Sequence, residues 1–334
     1  MYELLGISLV LASLLMINAI ASVATAACWR LLEHPLRSRP ARTRAEILIA
    51  LRVGPAALAL IAITLFLVPS YVGYEPYTTA EIVSKKLAVL AIVAAIGIAL
   101  ALWRALRSWF ATQMLLQEWL SSAVQMKLSG TSIPTFRIAN SFPIIAVVGT
   151  LQPRLFIAEH VLETLSEEEL RAAIAHEGGH LNAHDNLKRS LLRACCDLLM
   201  VAPCGRSLDR AWAEAAESAA DEHAAQQSAE TALNLASALV KIAKMVPAGA
   251  HAAVPLAAFL VGVEETRGVK ARVRRLLEIA SHGSLRRVPD SALTRILPVA
   301  SLCSLLLLTL VAANNPSVLF AVHNVIEHAV KLLS

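Results

Sequence analysis

Four long stretches of this sequence contain no charged side chain: residues 4–29, 53–74, 87–103 and 296–313. Each approaches the roughly 17–25 apolar residues that a helix needs to cross a hydrocarbon core. The pattern therefore predicts about four transmembrane helices, three in the first third of the chain and one near its end. Residues 4–29 are too long for the apolar core of a secretory signal, about 7–15 residues, and lack a basic start. They read as a membrane anchor. Composition agrees, since 57% of residues are apolar and mean hydropathy is +0.60, above the roughly 45–50% apolar share of soluble domains.

Charge between the spans sets an expected orientation, because cytoplasmic loops collect Lys and Arg. The segment 30–46 carries Arg30, Arg37, Arg39, Arg42 and Arg44 and is expected in the cytosol. The segment 70–86 sets Lys85 and Lys86 against Glu75 and Glu81, with a cluster of tyrosines suited to the outer interface. The N-terminus is then outside. Residues 1–108 hold three transmembrane helices and a basic cytosolic loop, 109–295 a cytosolic domain, 296–313 a fourth transmembrane helix, and 314–334 a short extracytoplasmic amphipathic tail. The expected fold is mainly α, a polytopic membrane protein with a cytosolic α+β domain.

Two further apolar runs are not spans. Residues 245–263 are broken by Pro247, Gly249, His251 and Pro255 and read as a buried or membrane-apposed loop with a short helix, a re-entrant segment being the alternative. Residues 187–204 hold Lys188, Arg189, Arg193 and Asp197 and read as a helix packed near the bilayer surface. The net charge of +5 comes largely from arginines flanking the spans. No aromatic-interleaved basic patch accompanies it, so direct nucleic-acid binding is not expected. Cys28, Cys195, Cys196, Cys204 and Cys303 lack a CxxC spacing and read as small buried apolar residues. A transporter or channel would need ionisable groups inside its spans, and these have essentially none.

The chemistry lies in the cytosolic segment. Residues 135–158 change to β-branched runs punctuated by Pro143, Gly149 and Pro153, predicting two or three short strands. Ser166 followed by Glu169 is a capping-box signal for a helix starting near Glu167. HEGGH, His176 to His180, falls inside that helix. Positions i and i+4 lie one above the other, so His176 and His180 can face one metal while Glu177 lies alongside to hold a water.

A third ligand is required. His184 continues the same face, but a helix rises about 1.5 Å per residue, which starts it roughly 12 Å from His176, too far to share an ion. The metzincin spacing also fails, because Ala183 and Asn186 stand where Gly and His are needed. Downstream, Glu214, Glu217 and Asp221 share a stripe of an Ala-rich helical stretch. Glu217 can complete a His, His, Glu site with Glu214 in reserve, and Asp221, one turn on, can hydrogen-bond a ligating imidazole.

HExxH at 176–180, Asp185 five residues after it, and ExxxD at 217–221 resemble the membrane-embedded gluzincin metallopeptidases, above all metallopeptidase family 56, the BlaR/MecR-type antirepressor proteases. The segment 147–177 is similar to that family's strand, G-x-x-x-P-R turn and LS-x-EEL approach to the metal helix. ARVRRLLE, around Arg272, is similar to its R-[IV]-x-x-L-L segment. HtpX-type proteases share the HExxH and ExxxD. The resemblance implies a zinc-dependent peptide hydrolase of a bacterial inner membrane, with one Zn2+ per chain held by His176, His180 and Glu217. Glu177 would be the general base, and Asp221 and Asp185 outer carboxylates. Arg272 and His223 are candidate transition-state stabilisers, against the alternatives of a packing ion pair and a surface residue. Expected partners are the lipid bilayer and a protein or peptide substrate, such as a winged-helix repressor.

Two departures stand out. Gly178 occupies a position that is usually bulky and apolar, and the Gly178–Gly179 pair is expected to admit another backbone close to the metal helix. The penicillin-binding sensor domain of BlaR and MecR has no counterpart after Ala313. Extended substrates are expected to add as a strand. Ile144, Ile145, Ala146, Val147, Val148 and Gly149 form the candidate edge, with an interior strand as the alternative. A non-catalytic membrane scaffold remains the other class of function.

Overall fold

The computed structural model describes residues 2–76, 83–128, 131–196, 205–246, 266–282 and 304–333. It is a mainly helical protein with one small sheet. The chain opens with α1 (Tyr2–Leu36) and α2 (Ala41–Ala62), passes through a π-helical turn (Ile63–Leu67) into α3 (Val68–Tyr74), and continues in α4 (Lys85–Ser122). Three continuous helical stretches, Tyr2–Leu36, Ala41–Tyr74 and Lys85–Ser122, are long and apolar enough to cross a membrane. Leu58, Leu60, Val89, Ile92, Ile96 and Leu100 point outward from them, as a lipid-facing surface requires.

Each helix overruns its uncharged stretch, because the backbone keeps its hydrogen-bond ladder past the bilayer while charged side chains reach water. The basic loop expected over 30–46 shrinks accordingly to residues 37–40. Cys28, expected to be buried, is exposed, since that part of α1 extends beyond the packing of its own N-terminal half. The π turn has a local cause. Pro69 supplies no N–H at the start of α3, and Val68 N–H bonds back to Ile63 O, a wider turn that absorbs the missing donor.

α4 carries the chain out of the apolar bundle and into a second core. Its Leu116 and Trp119 pack with the sheet, where the Trp119 and Phe156 rings meet at 5.2 Å. The sheet comprises β1 (Val124–Met126), β2 (Thr135–Ile138), β3 (Ile145–Val148) and β4 (Arg154–Ala158), in the order β1-β2-β4-β3. The expected strands are present as β2, β3 and β4. β1 went unread because three residues directly after a long helix show no alternation. Among the described residues β3 pairs with β4 alone, antiparallel, which puts it at the edge of this sheet.

The helices α5 (Glu159–Thr164), α6 (Glu167–Asn182), α7 (Asp185–Cys196), α8 (Gly205–Ala225), α9 (Ala229–Met245) and α10 (Thr266–His282) follow. α6 starts with the expected capping box between Ser166 and Glu169. α8 lies on α2 through Ala45, Leu48, Leu208 and Trp212, and Arg52 pairs with Asp209 at 2.9 Å. α7 reaches α4, where Arg193 bonds Ser108. The domain is thus seated on the basic end of the bundle. Residues 247–263, read as a membrane-apposed loop, lie outside the described residues.

Of the expected fourth span, the described part is α11 (Ser304–Ala313). Asn314, Asn315 and Pro316 break it, and α12 (Pro316–Leu333) leaves at 74°. α12 packs at the other end of the bundle from the domain, with Ile326 among Leu5, Leu9, Leu67 and Leu87.

Candidate metal centre

α6 and α8 cross closely enough to bring three donors together. Ligand atoms of His176, His180 and Glu217 all lie within 4.8 Å of one another. Gly179 makes the crossing possible. A Cβ there would stand 2.9 Å from Ala220 Cα, closer than packed carbons approach, and a tight 3.2 Å from His223 Cβ. The close-approach expectation therefore holds for Gly179 and not for Gly178, around which no atom lies within 4 Å of a notional Cβ among the described residues.

Both imidazoles are gripped from behind. His180 Nδ1 lies 2.6 Å from Asp185 Oδ2. His176 Nδ1 lies 2.9 Å from Asp221 Oδ1, close enough to pair though not aligned as a hydrogen bond. With Nδ1 so held, each ring turns Nε2 toward Glu217, at 3.6 Å from His176 and 3.5 Å from His180. His180 Nε2 and Glu217 Oε2 are buried with no hydrogen-bond partner. Buried polar atoms without hydrogen bonds are costly, and a cation between these two would satisfy both. Two nitrogens and one carboxylate oxygen, backed by carboxylates, form a donor set that suits zinc with an open position.

A short turn places Asp185. α6 ends at Asn182, and His184 takes φ 55, the left-handed conformation, which reverses the chain so that α7 begins facing His180. His184 is accordingly off the metal face for a different reason from the one expected. Distance along a helix does not exclude it, because the helix has already ended.

Two arginines close the site. Arg272, from α10, chelates Asp221 through Nε at 2.8 Å and Nη2 at 2.7 Å, and its Nη1 lies 3.1 Å from Glu217 Oε2. Arg189, from α7, reaches Glu217 Oε1 at 3.3 Å and lies over the Trp212 ring. Burial opposes charge on Asp221, yet Arg272 outweighs it and holds the carboxyl at about 2. Burial likewise opposes charge on Glu217, but His180 and Arg272 pull its carboxyl well below the ordinary value. For His180, burial is overridden by Glu217 and the bond to Asp185, raising the imidazole to about 9.

Glu177 is placed differently. It is 1% exposed, and burial pushes its carboxyl up despite the two nearby histidines. Val147 N–H donates to its Oε2 at 3.1 Å, while Oε1 has no partner. Val147 belongs to β3, whose even-numbered residues face β4, since Ala158 N–H bonds Ile144 O. The main chain of Val147 therefore points outward, and its carbonyl accepts from Asn186 Nδ2 at 2.8 Å. At this one position the edge strand serves the base and not an added strand. Asn186 also reaches Gly149 O at 3.2 Å. Gly149 itself has φ +104, a conformation that favours glycine.

The other named residues lie around this centre. Arg272 is committed to Asp221 and Glu217. His223 is half-buried on α8, its Nε2 3.5 Å from Asn182 Nδ2, and burial lowers its imidazole. Glu214 has no place in the donor triad. Asn186 and Arg189 were missed from sequence. Their signal was the helical spacing from Asp185, which only the turn at His184 makes meaningful.

No curated protein matches the chain. Residues 117–211 match the family model of peptidase family M48, a stretch running from the end of α4 through the sheet, α6 and α7 into α8, and this match supports a metallopeptidase.

Proposed function

We propose that the chain is a membrane-embedded zinc metalloendopeptidase, with His176, His180 and Glu217 as ligands and Glu177 as general base. The observation that carries this reading is the convergence of His176 Nε2, His180 Nε2 and the Glu217 carboxylate, with His180 Nε2 and Glu217 Oε2 buried and lacking hydrogen-bond partners, between the fixed carboxylates of Asp185 and Asp221. A zinc ion held by these residues would supply Lewis-acid polarisation of a carbonyl and of the attacking water. Glu177 takes the water's proton on Oε1 while Val147 N–H keeps Oε2 in place, and the burial that raises its carboxyl suits it to return that proton to the leaving nitrogen. Asp185 and Asp221 hold the imidazoles by Nδ1 with Nε2 aimed inward, where a metal ion would take the place of any Nε2 proton. His180 and Arg272 keep Glu217 ionised.

The substrate reading is a protein segment at the cytosolic membrane surface, because α8, which carries Glu217, packs directly on α2. An extended peptide would pair with β3 at Ile145, whose main chain faces outward by the same alternation as Val147. A repressor substrate follows the BlaR/MecR likeness. A second reading, an HtpX-like membrane quality-control protease, is favoured by the match to peptidase family M48. The test uses detergent-solubilised full chain with an unstructured casein. Cleavage that stops with a chelator and returns with zinc supports the proposal. A protein that holds zinc at this site and never cleaves would instead be a non-catalytic scaffold.

A further inference from the structure

A second mixed donor cluster lies at the other end of the bundle. Ligand atoms of Glu75, His323 and Glu327 also fall within 4.8 Å of one another. Glu75 follows α3 directly and is 7% exposed. His323 and Glu327 are i and i+4 on α12, so both side chains leave one face of that helix. The cluster is fixed by its surroundings. Tyr74 OH donates to Pro316 O at 3.0 Å, Ser70 Oγ donates to Leu319 O at 2.8 Å, and the Tyr74 ring lies 5.9 Å from that of His323. His323 Nδ1 is buried with no hydrogen-bond partner.

Lys331 lies 3.8 Å from Glu327 at the exposed rim. An imidazole nitrogen with two carboxylate oxygens is a borderline donor set, which favours first-row divalent metals over Mg2+ or Ca2+. The second long helix, Ala41–Tyr74, has 34 residues and so is about 50 Å long, with this cluster at its C-terminal end and α8 packed on its N-terminal part.

We infer that Glu75, His323 and Glu327 form a second cation site for a divalent metal of the zinc class, which clamps α12 onto the end of α3. The site is independent of the protease centre, with no atom in common. A bound ion would join the C-terminal helix to the helix that carries the catalytic domain at its far end.

The test is a zinc count on full-length protein in detergent, equilibrated with Zn2+ and desalted. Two zinc per chain are expected for the native protein, and one for either His323→Asn or Glu327→Gln. His328→Asn, which alters an exposed histidine on the same helix, should still hold two. His180→Asn should hold one and keep the α12 site. A native count of one that persists in His323→Asn overturns the inference. A count of two unaffected by His323→Asn and Glu327→Gln overturns it as well. A single zinc lost in His323→Asn but kept in His180→Asn would uphold this site and refute the protease centre.

Discussion

The two donor clusters, one on α6 and α8 and one on α3 and α12, have the same spread of ligand atoms and very different surroundings. Around His176, His180 and Glu217 stand two carboxylates behind the rings, two arginines on Glu217 and a buried glutamate with one free oxygen. Around Glu75, His323 and Glu327 stand an aromatic ring, a rim lysine and helix-to-helix hydrogen bonds. Three converging donors are enough to hold an ion. Chemistry also needs a base and a layer that fixes each ligand, and among the described residues the first cluster has both.

The comparison breaks most sharply if the ligands of the first cluster are not equivalent to a metal site at all. Glu217→Ala should therefore lose one zinc per chain together with all casein cleavage, whereas His184→Ala should keep the metal. Zinc retained in Glu217→Ala would return the third ligand to Glu214.

The surrounding layer is tested next. Asp221 is 1% exposed and chelated by Arg272, so Asp221→Asn removes one charge partner of a buried guanidinium that still faces Glu217, and breaking such a buried pair costs about 3–5 kcal/mol. Thermal unfolding in detergent should show a large fall. The equivalent change at the exposed rim, Lys331→Met, should leave the midpoint nearly unmoved, and similar shifts for the two would erase the distinction between the clusters.

A smaller effect separates the paired glycines. Gly179→Ala forces α8 off α6 against Ala220 backbone and should cost about 1–3 kcal/mol, with weakened zinc binding. Gly178→Ala meets open space and should be neutral or gain up to about 1 kcal/mol in helix propensity. Equal losses at both positions would contradict the crossing described here.

The smallest effect lies at the far end of α6. Glu169 accepts from Ser166 N–H, Ser237 Oγ and Lys241 Nζ. Burial disfavours its charge, but these partners outweigh that and lower its carboxyl. A lowered folded value means stability present above the unfolded value and lost as pH falls through the folded one. Lys241 is 40% exposed, so screening limits its share. Glu169→Gln should cost on the order of 1 kcal/mol at neutral pH, and the difference should vanish at acid pH once the native carboxyl is protonated. A gap that stays constant with pH would mean shape, and not charge, is what Glu169 contributes.

Much of this was legible in the sequence, and the boundary is physical. The spans announce themselves by missing charge, and the start of α6 by Ser166 and Glu169, because both signals are local. HEGGH shows two donors by helical periodicity alone. The role of Asp185 needed a resemblance, since its reach to His180 depends on a left-handed residue at His184 that no propensity marks. Arg189 and Asn186 were illegible because their partners, Glu217 and Val147, are 28 and 39 residues away. The edge strand was legible as β-branched residues. That Val147 serves Glu177 was not, since it depends on which way one peptide faces. Val147→Pro should thus disturb the base before it disturbs peptide binding.

The central claim is that Glu177 is a base and not a ligand. Zinc content and casein cleavage, measured side by side on native protein and Glu177→Gln, test it most directly. The account predicts unchanged zinc with cleavage reduced by at least about 100-fold, the lower range for loss of general acid–base catalysis. Full cleavage at unchanged zinc would contradict it.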